Sequence, residues 1–104
     1  MPLTSVHPLV GSLQSQEGWL SDVRYTISCE SGVFSVSALD AYDNEVGQVY
    51  DVKWDEKANS LLFCCYWESS GRFSKCKLSA MPNGKADFIY QYTDHEILVR
   101  SNVA

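Results

Sequence analysis

From residue 23 onward, apolar and polar side chains alternate with period two, the mark of strands buried on one face. VRYTISC sets Val23, Tyr25, Ile27 and Cys29 against Arg24, Thr26 and Ser28. FSVSA sets Phe34, Val36 and Ala38 against Ser35 and Ser37. VGQVYDVKW aligns Val46, Tyr50, Val52 and Trp54, with Gln48 interrupting the alternation. ADFIYQY aligns Ala86, Phe88, Tyr90 and Tyr92 against Asp87 and Gln91. One run departs from this rule. In LLFCCYW, Leu61, Phe63, Cys65 and Trp67 share one face and Leu62, Cys64 and Tyr66 the other. Both faces are apolar, so this strand calls for cover on both sides.

Turn residues fall between the runs at hairpin spacing. ESG at 30–32, DN at 43–44, EKAN at 56–59, ESSG at 68–71 and TDHE at 93–96 are polar breaks. PNG at 82–84 is the strongest, because Asn-Gly suits a turn with two positive φ angles. The reading is eight strands near 18–22, 23–30, 33–41, 45–54, 60–68, 72–80, 85–93 and 96–101. Short connections make them an antiparallel meander. An all-β meander of seven or eight strands buries its apolar face by curling into a small up-and-down barrel. A β-sandwich and a strongly curved open sheet are the alternatives. Residues 1–17 are an N-terminal segment, partly irregular or one helical turn, and residues 18–104 form a single barrel-like domain.

Composition narrows the function classes. The 104 residues carry a formal net charge of −5, which argues against a duplex nucleic-acid binder that must neutralise phosphates. The charge is split. Six acids and one base lie between Asp40 and Glu56, while four bases and no acid lie between Gly71 and Lys85. Such a split suits two solvated faces, or association of one copy's acidic edge with another's basic one. No apolar run is long enough for a membrane-spanning helix. MPLTSVHPLVGSLQ lacks the basic and apolar regions of a signal peptide, so a cytoplasmic location with reduced cysteines is expected.

Cys29, Cys64, Cys65 and Cys76 have no zinc-site spacing, and adjacent Cys64 and Cys65 point to opposite faces of a strand. They read as buried small hydrophobes, and no metal or cofactor is implied. His7 and His95 have no nucleophile motif beside them. DAYDNE at 40–45 clusters carboxylates without an EF-hand pattern and reads as a solvated hairpin tip.

The inward aromatics are the most suggestive set. Tyr25, Phe34, Tyr50, Trp54, Phe88, Tyr90 and Tyr92 share the parity of their strands' apolar faces. They suit either an aromatic core or a pocket with hydroxyl handles. At the two ends of the barrel region stand GWL at 18–20 and LVR at 98–100. This arrangement resembles the lipocalins and related calycins, which begin with Gly-x-Trp and pack a final-strand Arg over that Trp. In this chain Gly and Trp are adjacent. The resemblance implies a structural pair of Trp19 and Arg100, and small apolar ligands inside the barrel.

The leading functional reading is a non-enzymatic β-barrel that binds a small apolar or aromatic molecule through the seven inward aromatics. The second is an interaction or homodimeric scaffold domain, with Leu62, Cys64 and Tyr66 at the interface. The third is an enzyme using carboxylates such as Asp40, Asp51 or Asp55. Lys75 and Lys77 share a face with Phe73 and could attract an anionic ligand, or blunt an edge strand.

Overall fold

A computed structural model describes residues 7–18, 21–93 and 96–101. Seven strands form one antiparallel sheet in sequence order: β1 (Gly11–Gln14), β2 (Val23–Glu30), β3 (Val33–Asp40), β4 (Glu45–Asp55), β5 (Ser60–Trp67), β6 (Arg72–Ala80) and β7 (Ala86–Thr93). The sheet is strongly curled but open, a half-barrel with β1 and β7 as its edges. The expected meander is therefore the observed one, in its curved open form.

Two differences concern the ends. Residues 11–14 form a strand, pairing Gly11 with Ile27 and Gln14 with Arg24. The strand expected over 96–101 is absent: those residues carry no regular structure and are exposed. The strand expected over 18–22 falls partly on Trp19 and Leu20, outside the described residues. Ser21 and Asp22 lie ahead of β2 in irregular backbone.

The turns explain why the strands reverse where they do. Ser31 and Gly32, with φ of 52° and 78°, make a two-residue hairpin between β2 and β3. Before β7, Asn83 and Gly84 take φ of 66° and 73° in a single 3-10 turn. This is the pair of positive φ angles that the Asn-Gly sequence favours. The remaining three hairpins each close on a left-handed residue, Asn44, Asn59 or Gly71. Asp40 and Asp55 stabilise two of these turns, accepting from the backbone N–H of Tyr42 and Lys57 at 3.0 and 3.1 Å.

β4 turns the sheet's corner. Its register with β5 shifts between Tyr50 and Lys53, and Asp51 sits there at φ 55°. This bulge adds one residue and so exchanges the two faces of the strand. Before it, Gly47 and Val49 face the interior; after it, Val52 and Trp54 do. Val46 and Tyr50 thus lie on the outer face, not with Val52 and Trp54 as strict alternation predicts. Gly47 is required inside: a Cβ there would stand 2.7 Å from Cys65 Sγ and 3.1 Å from Ala38 Cβ.

The core fills the concave face. Leu9, Ile27, Leu61, Phe63, Cys76 and Leu78 form its buried centre. Each such apolar side chain contributes about 1.5–3 kcal/mol when fully buried. Leu9 belongs to the N-terminal stretch that precedes β1, so that stretch covers part of the open half-barrel. Near the β5 start the buried Ser60 hydroxyl is satisfied, 2.7 Å from that of the half-buried Ser79.

Candidate functional site

The concave face holds two groups of aromatic rings. At one end Phe34 and Trp54 stack at 5.3 Å between centroids. His7 meets both edge-on at 5.0 Å, and its Nδ1 accepts from the Leu9 N–H at 3.1 Å. That hydrogen bond requires an unprotonated Nδ1. It also ties the N-terminal stretch down over the rings.

The second group runs along β7. Alternate residues of a strand share a face, so Phe88, Tyr90 and Tyr92 rise in a row. Neighbouring rings stand 5.2 and 6.4 Å apart, tilted by only 26° and 17°. Tyr25 anchors the inner end, 5.1 Å from Phe88 and 5.6 Å from Phe63. The outer end carries Arg72, whose Cζ lies 4.1 Å from the Tyr92 ring centre. Opposite Tyr90 and Tyr92 on β6 stand Cys76 and Ser74, both small and buried. The rings themselves remain open, Tyr90 being 56% and Tyr92 49% exposed.

Six of the seven aromatics singled out from the sequence therefore fall into these rows or their anchor in a graded way. Phe34, Trp54, Tyr25 and Phe88 are partly buried, and Tyr90 and Tyr92 are open. Tyr50 stands apart on the outer face, where its hydroxyl donates to Gln48 Oε1. Arg72 escaped the sequence reading. Its place opposite Trp67, on the inner face, follows only from the strand register.

Burial controls the ionisable groups of the interior. The Tyr25 hydroxyl is pushed well above the ordinary phenol range, first by burial, then by Cys76 and Cys65 nearby. Burial pushes the Cys65 thiol up to about 11, with Cys64 adding to the effect. Burial likewise pushes Cys76 up to about 12, with Cys65 and Cys64 next in order. Both thiols are thus inert at neutral pH, since the thiolate is the reactive form. All four cysteines are free.

The carboxylates do not converge. Asp40 and Asp55 occupy opposite ends of β4's neighbourhood and serve turns. Asp51 sits at the bulge. In the hairpin tip, Asp43 accepts from its own turn, and Glu45 accepts from Ser69 N–H and Oγ–H, tying two hairpins together. Among the described residues, no cluster of three or more His, Cys, Asp and Glu is placed to hold a metal ion. Among the described residues, no helix is long and apolar enough to cross a membrane. His95 and Trp19 lie outside the described residues, so the expected Trp19 and Arg100 contact does too. Arg100 is exposed, well past the end of β7.

The convex face carries a shallow groove of about 430 Å³. Leu62 and Cys64 of β5 and Ile89 of β7 line it, with Lys53, Lys75 and Lys77 also on its walls. Two of the three residues expected at an interface are thus in this groove. Tyr66 is half-buried on the same face. The chain finds no match among protein-family models, curated proteins or solved structures.

Proposed function

We propose that the protein is a non-enzymatic binding protein that takes a small, flat, apolar or aromatic molecule on the open end of its concave face. The ligand lies on the Phe88, Tyr90 and Tyr92 row, with Arg72 at its outer edge. The observation that carries this reading is the half exposure of Tyr90 and Tyr92 on a face that is otherwise core. A row built only for packing would be more deeply buried, as the partly buried Phe34 and Trp54 are. Each ring that stacks on a flat ligand contributes about 0.5–1.5 kcal/mol beyond the apolar area removed from water. The tyrosine hydroxyls and the guanidinium give such a ligand polar handles at its rim.

The other end of the half-barrel is occupied by Leu9 and His7, which favours a site at β7 over the expected barrel interior. The test is a fluorescence titration with anilinonaphthalene sulfonate, a flat aromatic anion. Tyr90→Ala and Tyr92→Ala should each weaken its binding roughly tenfold, the loss of about one good stacking contact. Leu62→Ala, on the convex face, should leave it unchanged. Equal affinity in folded Tyr90→Ala and Tyr92→Ala proteins would overturn the assignment.

A further inference from the structure

Beyond the tyrosine row, two apolar features among the described residues are uncovered, and their chemistry matches. The first is the convex groove. An outward-facing sheet surface is ordinarily polar. Here its lining includes Leu62, Cys64 and Ile89, with three lysines around them. Among the described residues, Lys53, Lys75 and Lys77 form no ion pair. The second is the segment after β7. Ile97, Leu98 and Val99 are 90, 81 and 86% exposed. The acid Glu96 precedes them and Arg100 follows, while the groove's own acid is Asp51.

We infer that a second copy of this chain fills the groove with its residues 96–99. The three apolar side chains cover the groove floor, Glu96 meets the lysines, and Arg100 lies towards Asp51. The chain's own sheet does not take these side chains up, as their exposure records. If each copy gives its segment and receives its partner's, the contact closes as a two-fold dimer. The complementary charges fix direction and partner choice, and the apolar residues supply the affinity. Tyr90 borders the groove as well, while Tyr92 does not line it, so the tyrosine row and the groove adjoin across β7.

Light scattering on the full chain after size exclusion tests this. At micromolar concentration the wild type should have twice the chain mass. Leu98→Asp should be monomeric, and so should the Lys75→Glu/Lys77→Glu double variant. Adding Glu96→Lys to that double variant should restore the dimer, with Kd recovering about tenfold or more. Leu98 and Glu96 sit outside the sheet, so their substitution leaves the fold intact. A thermal melt checks the lysine variants. A wild type that stays monomeric overturns the inference. So does a dimer unchanged by Leu98→Asp, or a failure of Glu96→Lys to rescue folded lysine variants.

Discussion

At one end of the concave face, Phe34 and Trp54 stack at an interplanar angle of 17° with His7 closed over both. At the other, Tyr90 and Tyr92 stack at the same angle and stay half exposed. The strand parity and the ring geometry are alike. The difference is a cover. The N-terminal stretch, held by Leu9 in the core and by the His7 hydrogen bond, reaches the first pair and not the second. One end of the aromatic face is thus packed under the chain's own N-terminal stretch, and the other stays open.

Substitutions should separate the two ends by size of effect. Phe63→Ala, at the centre of the covered region, should cost about 3–5 kcal/mol in a urea melt. Leu9→Ala removes the cover's anchor and should cost about 2–5 kcal/mol, with Trp54 fluorescence shifting red as water enters. Gly47→Ala places a Cβ against Cys65 Sγ and should cost about 1–3 kcal/mol, read by the same melts. Tyr92→Ala, at the open end, should change stability by no more than about 0.5 kcal/mol while weakening the dye.

A pH series sharpens the contrast further. Cys65 and Cys76 are covered in the folded protein and prefer the protonated thiol, at about 11 and 12. Their stabilisation is complete below the ordinary thiol value. It is lost as pH rises from that value through the folded values, because the unfolded chain releases its protons first. Tm should therefore fall by roughly 5 °C or more between neutral pH and pH ~11. Cys76→Ala or Cys65→Ala should flatten that fall, whereas Tyr92→Phe should not.

Much of this architecture is legible in the residues. The alternation in VRYTISC, FSVSA and ADFIYQY places β2, β3 and β7 within about a residue. Asn83 and Gly84 mark their turn by residue type alone. The interruption at Gln48 was the visible trace of the bulge, but a period-two reading cannot locate the extra residue, and so it put Tyr50 on the wrong face. β1 is too short at four residues, and too mixed in composition, to stand out. The apolar run at 97–99 looked like a strand because pattern reports what a segment could bury, and not whether a partner is present. The open aromatic end shares its parity with the core. Its exposure depends on where residues 7–10 lie, which no local pattern encodes.

The most direct test of the account is residue-resolved NMR of the protein titrated with anilinonaphthalene sulfonate. The account predicts that shift changes centre on Phe88, Tyr90, Tyr92 and Arg72 and leave Phe34 and Trp54 unmoved. Shifts centred on Phe34 and Trp54, or on Leu62 and Lys75 across the sheet, would contradict it.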